Sequence, residues 1–175
     1  MTRAKPISAK RQTIVAAARG CFVRFGYTKT SFADVAKAAS ISRPLIYVHF
    51  KSKHELLGAV FITIFEERYP AVERILAAAG TPSEKLTLIY EQLFVEPWAE
   101  VTGGAASAEF LATCEQIIPE AAAAYEERRL RYTNAILGDL ELAQIFVMSA
   151  DGLLVDLPSQ ELLRRRLERL IGRFL

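Results

Sequence analysis

A chain of 175 residues, of which 51% are hydrophobic, can bury a sizeable core in one or two compact units. It has no run of about 18 uncharged apolar residues, so a membrane span is not expected, and the basic start Thr2-Arg3-Ala4-Lys5-Pro6 is followed by no apolar signal-peptide stretch. The formal charge is only +2, but residues 1–54 hold eleven Lys/Arg against one acidic residue, Asp34, while residues 55–175 hold eleven against nineteen. A basic head on an acidic body is the footprint of a chain that presents one end to a polyanion. Cys21 and Cys114 have no metal-ligand spacing; reduced thiols in a cytoplasmic protein are expected, with no metal and no cofactor.

Residues 1–7 read as a loose basic tail. Ser8 to Phe25 reads as the first helix, with Ile14, Ala17, Ala18, Cys21, Phe22 and Phe25 as its buried stripe and Gly26 supplying the left-handed position that ends it. Ser31 with Asp34 is a capping box, and Phe32, Val35 and Ala36 then give one apolar face. Ala38-Ala39-Ser40-Ile41 can turn, Ser42 can cap a second short helix, and Pro44 is tolerated in its first turn. Ser52 with Glu55 forms another capping box at the start of a third helix. Two short helices joined in this way form a helix-turn-helix unit, whose second helix enters the DNA major groove.

From Lys53 a longer helix carries Leu56, Leu57, Val60, Phe61, Ile64 and Phe65, and Pro70 should either kink it or divide it in two. Thr81-Pro82-Ser83-Glu84 starts the next helix, expected to stop before Pro97, with Trp98 to Ala106 as a loop. Further helices are expected over about Ala105–Ile117 and from Pro119 to Gly138. Glu141–Leu157 is apolar on most sides and reads as a helix buried from more than one direction. Ser159–Leu175 is amphipathic, and its Arg164-Arg165-Arg166 run reads as a solvated rim. No segment alternates with period two, so the expected fold is all-α: a three-helix helix-turn-helix domain over residues 1–54 and a helical domain over 55–175.

Arg11, Ile14, Ala17-Ala18, Phe22, Gly26-Tyr27, Thr30-Ser31, Asp34-Val35-Ala36, Ile41-Ser42, Tyr47, His49-Phe50, Ser52-Lys53 and Leu56-Leu57, in that order and spacing, resemble the DNA-binding domain of the tetracycline-repressor (TetR) family. The resemblance covers about the first third of the chain without a gap. It implies that Thr30 and Ser31 hydrogen-bond phosphate, and that Arg43 reads base edges. It also implies that Tyr47 and His49 touch phosphate and sugar, and that Lys53 clamps a phosphate. Ser42, Pro44 and Leu45 complete the expected DNA-binding set. A guanidinium at position 43 suits guanine O6 and N7, and Leu45 can offer only apolar contact, to a thymine methyl or inward. Three departures stand out, one being Leu45 itself, which replaces what is commonly a small or hydroxylated residue. Ser40 replaces the usual glycine, so the turn needs a left-handed or adjusted serine, and Val48 is small where some relatives carry an aromatic.

The same resemblance implies an apolar ligand cavity, for which Phe61, Tyr90, Phe94, Trp98, Phe110, Cys114 and Tyr125 are candidate walls. It also implies dimerisation through the last two helices, with Ile145, Phe146, Leu153, Leu163, Leu167, Leu170 and Phe174 as candidate interface. The reading is a transcriptional regulator: a homodimeric repressor of a palindromic operator in double-stranded DNA, released by a small-molecule effector. A ligand-independent regulator or architectural DNA-binding protein is the alternative. Enzymatic turnover is not expected. His49 and His54 do not share a helical face, and no nucleophile–base pair or glycine-rich phosphate loop occurs.

Overall fold

The computed structural model describes residues 9–102, 113, 114 and 116–175, and among these it contains helices and no strand. No helix of the described residues is long and apolar enough to cross a membrane. The chain divides into two compact units, Met1–Thr63 with Thr102–Pro119, and Ile64–Val101 with Glu120–Leu175. The helix expected over about Ala105–Ile117 lies mostly outside the described residues, as does the candidate Phe110.

The first unit is built from α1 (Ala9–Phe25), α2 (Phe32–Ala38), α3 (Arg43–His49) and the first turns of α4 (Lys53–Glu66). Ile14, Ala18, Phe22, Ile46, Phe50, Leu56 and Leu57 are each fully buried. They recur at helical spacing, so each helix turns one stripe inward. Because Leu56, Leu57 and Val60 are buried, the start of α4 belongs to this core and the unit runs past residue 54. At the end of α1 the Gly26 N–H donates to Phe22 O at 2.9 Å with φ of 84°.

α2 is framed at both ends. The expected capping box is present, with Ser31 and Asp34 exchanging side-chain-to-backbone bonds. At the other end the Ile41 N–H reaches Ala36 O and the Ser40 N–H reaches Lys37 O, the bond pair of a Schellman motif. That motif requires a left-handed residue at position 40, and Ser40 takes it with φ of 54°. A Cβ in this region costs about 1 kcal/mol, which glycine avoids. Ser40→Gly is therefore expected to raise stability by no more than about 0.5 kcal/mol in urea unfolding, once glycine's greater unfolded-state freedom is subtracted. The start of α4 differs slightly from expectation. Ser52 Oγ accepts from the Glu55 N–H, but the Glu55 carboxylate accepts from the Lys51 N–H rather than from Ser52.

In the second unit α4 ends at Glu66 and α5 (Tyr69–Ala77) begins anew, so Pro70 marks two helices rather than a kink. It lies in the first turn of α5, where no backbone donor is needed. α6 (Pro82–Tyr90) starts at the expected Thr81–Glu84 capping box. It does not stop before Pro97. A π-helical turn over Glu91–Val95 leads directly into α7 (Glu96–Thr102), so Trp98–Thr102 is helix and not loop. The wider turn accommodates the proline ring, and Leu93 O, the carbonyl four residues before Pro97, accepts a 2.7 Å bond from Tyr125 Oη instead.

α8 (Pro119–Leu137), α9 (Leu140–Gly152) and α10 (Gln160–Phe174) complete this unit. α9 corrects a second expectation. It ends at Gly152 and buries only Ala143, Phe146 and Ala150, leaving Met148 73% exposed. α10 buries Leu163, Leu167 and Ile171. Its arginines pair outward, Arg164 with Glu91, Arg165 with Glu161 and Arg166 with Asp156.

Candidate nucleic-acid interface

The exposed surface of the first unit is organised by α3. Ile46 is fully buried and Leu45 half-buried, whereas Ser42, Arg43, Pro44, Tyr47 and Val48 stand in solvent. Positions 43 and 47, and 44 and 48, are i, i+4 pairs, so they form two adjacent stripes on the exposed side of α3. Within it Arg43 Nη2 donates to Tyr47 Oη at 3.2 Å. The Tyr47 ring packs edge-on against Phe32 of α2, 4.9 Å between centroids. Phe32 thus steadies Tyr47, and Tyr47 steadies the guanidinium. Ser42 holds the N-cap position of α3 without a side-chain cap bond, which leaves its hydroxyl exposed and uncommitted to capping.

Two cations hold this arrangement from behind. Arg11 of α1 donates to His49 O at 2.8 Å and lies 4.1 Å over the Phe50 ring, with Glu55 at 3.8 Å. It pins the C-terminal end of α3, where His49 is half-buried. Lys53 Nζ donates to the carbonyls of Tyr27, Thr28 and Thr30 at 2.8, 3.4 and 3.1 Å, and lies 4.3 Å over the Tyr27 ring. Its three donors are engaged in closing the turn before α2, not directed outward to a phosphate.

Thr30 is also turned inward. It is 2% exposed, and its hydroxyl lies 2.7 Å from Gly26 O and 3.2 Å from Cys21 O. It joins the end of α1 to the start of α2 and offers nothing to a phosphate. Ser31 beside it is exposed, with its hydroxyl 2.6 Å from the Asp34 carboxylate. Those hydrogen bonds from Ser31 hold the Asp34 carboxyl below the usual range. As pH falls through that lowered value the carboxylate is protonated and the cap of α2 is lost.

The candidate ligand residues are divided between the two units. Phe61 and Cys114 are buried in the first unit; Tyr90, Phe94, Trp98 and Tyr125 belong to the second. There Tyr90 and Phe94 are neighbours at 5.9 Å, Tyr125 stacks on Phe65 at 4.0 Å, and Trp98 Nε1 donates to Pro158 O at 2.8 Å. Burial pushes the Tyr90 phenol far up and that of Tyr125 up to about 12, so both stay protonated. Sequence reasoning missed the residue at their centre. Arg129 is 2% exposed, 5.5 Å from the Phe94 ring and 5.2 Å from the Tyr125 ring, and bonded to Asp151 at 2.6 Å. Its signal was the spacing Tyr125, Arg129, Tyr132, Thr133, one face of α8 on which arginine occupies a core position.

Of the candidate dimer residues, Phe146, Leu163 and Leu167 are consumed within the core of the second unit. Phe146 and Phe174 meet edge-on at 5.0 Å, and Leu153, Leu170 and Phe174 are half-buried. Ile145 remains 48% exposed, beside Met148 on the outer side of α9.

The family model for bacterial regulatory proteins of the tetR family matches residues 14–60, the segment that builds this surface. The chain is 38% identical over 58 residues to YhgD of Bacillus subtilis, an uncharacterized HTH-type transcriptional regulator, a match covering 33% of this chain and 30% of that protein. It is 30% identical over 93 residues to the HTH-type transcriptional repressor KstR2 of Mycolicibacterium smegmatis, covering 53% and 45%. The match thus spans less than half the length of either relative. A solved transcriptional regulator from Cytophaga hutchinsonii shares the fold, with a TM-score of 0.78 over 95% of this chain and 97% of that one at 15% identity. The head thus matches the family model of tetR-type bacterial regulatory proteins over residues 14–60, and the fold is shared with a solved regulator along nearly the whole length.

Proposed function

We propose that this protein is a sequence-specific DNA-binding transcriptional regulator, acting as a homodimeric repressor on a palindromic operator. The observation that carries the reading is the α3 face itself: Arg43, Pro44, Tyr47 and Val48 are held outward by a buried Ile46 and by the Arg11 and Lys53 contacts, on a head with a large excess of positive charge. Phosphate contacts position such a head and base contacts select the sequence. Arg43 is the base reader on guanine, and Ser31, Ser42, Tyr47 and His49 line the approach to the backbone. Thr30 and Lys53 serve by shaping the turn that presents α2. Residues 1–54 are the functional DNA-binding part and 55–175 carry effector binding and dimerisation.

Dimerisation uses the outer side of α9 around Ile145 and Met148, with Leu153, Leu170 and Phe174 at its edge. The effector is a small molecule that meets the Tyr90, Phe94 and Tyr125 cluster. To shift operator occupancy roughly 150-fold it must favour one state by about 3 kcal/mol. The name of the Mycolicibacterium smegmatis relative, a repressor, supports repression as the direction of control.

The test is selection of binding sites from a random duplex library with the full chain, alongside measurement of its mass in solution and bound to DNA. The expected result is a two-fold symmetric site whose half-sites lie about one helical turn, roughly 34–36 Å, apart, bound by an even number of subunits. An asymmetric site bound by a single subunit overturns the dimer. Arg43→Ala is expected to cost about 1–3 kcal/mol and to relax preference at one base pair per half-site. An even loss over all sequences would remove its base-reading role.

A further inference from the structure

The head carries a side chain that neither its local structure nor its core requires. Val48 is 75% exposed on α3. Valine is a poor helix former, so α3 gains nothing from it locally. Leu45, the residue from which apolar base contact was expected, is half-buried beside the fully buried Ile46. Val48 instead shares the outward face with Arg43, Pro44 and Tyr47, on a unit whose Lys29, Lys37 and Lys51 are also exposed. In a groove lined by base edges, an apolar side chain on such a face finds one apolar partner, the C5-methyl of thymine.

We infer that Val48 is a second specificity-determining residue, seating on a thymine methyl in the major groove while Arg43 reads a guanine. This rests on the DNA-binding reading above and deepens it. Five residues separate the two side chains, about 7.5 Å along the helix axis. That separation places the thymine at a base pair other than the guanine's in the same half-site. Tyr47, bonded to Arg43 and braced by Phe32, fixes the spacing between the two readers.

The test replaces thymine by deoxyuridine at one position at a time in the selected operator, which removes only the methyl group. Affinity for the full-length protein should fall about three- to tenfold per half-site at a single thymine position, in line with burial of one methyl. That position should differ from the one at which Arg43→Ala loses its preference. Val48→Ala should bind the thymine operator more weakly by a similar factor and be indifferent to the uracil exchange. Its helical circular dichroism should be unchanged, because the side chain it shortens is exposed. The inference is overturned if no uracil exchange weakens binding, or if the sensitivity persists in Val48→Ala, which would return the contact to Leu45. A wild-type protein that enriches no duplex at all overturns the regulator reading itself, and the two failures are thereby distinguished.

Discussion

Replacing Asp151 by alanine is expected to lower the unfolding free energy by about 3 kcal/mol, the low end of what breaking a buried ion pair costs. Its partner supplies the reason. The Arg129 side chain is 3% exposed, packed against Phe94 and Tyr125, and its Nε has no hydrogen-bond partner among the described residues. Asp151 is the carboxylate bonded to that guanidinium, and at 45% exposure it remains partly solvated, which keeps the loss below that of a fully enclosed pair. Removing Asp151 strands a buried cation. Removing the cation has a different consequence: Arg129→Met fills similar volume with apolar atoms and leaves Asp151 to water, so its effect should stay within about 1 kcal/mol. Urea midpoints of the two variants of the full chain provide the comparison. Equal losses would mean that Arg129 contributes through packing rather than charge.

Lys53→Met is expected to destabilise the head by about 2–3 kcal/mol and to weaken DNA binding without changing its salt dependence. The ammonium group satisfies three carbonyls in the turn before α2, and hydrogen bonds from a charged donor are each stronger than neutral ones. Methionine retains most of the stem that lies along Tyr27 but donates to none of the three. The turn then frays, and with it the orientation of α2 and of Phe32 beneath Tyr47. A lysine that neutralised a phosphate would lower the slope of log affinity against log salt by about one per contact when removed. An unchanged slope with a lower unfolding midpoint is the expected pair of results, and a reduced slope at full stability would restore the phosphate role.

What the chain encodes locally was legible without coordinates. Helix caps such as Ser31–Asp34 and Thr81–Glu84 are settled within four residues, and a left-handed or adjusted Ser40 is implied by the resemblance, which puts glycine there. The helix-turn-helix follows from caps and spacing, whereas the outward Arg43 and Tyr47 are what the family resemblance implies. Tertiary structure alone decided matters that depend on partners distant in sequence. Whether Lys53 points to solvent or to carbonyls 23 to 26 residues earlier is a choice between a phosphate and a turn, and no local pattern distinguishes them. Pro97 reads as a helix end because a proline removes a donor. It is tolerated because a π turn precedes it and Tyr125 supplies a proton to Leu93 O across 32 residues. Arg129 is not singled out in the sequence, and it is Asp151 and two aromatic rings that make its burial possible. On α9 the pattern shows only that several sides are apolar. Folding of the single chain uses Phe146 and leaves Met148 outside, because α9 buries a single stripe in the core of the second unit.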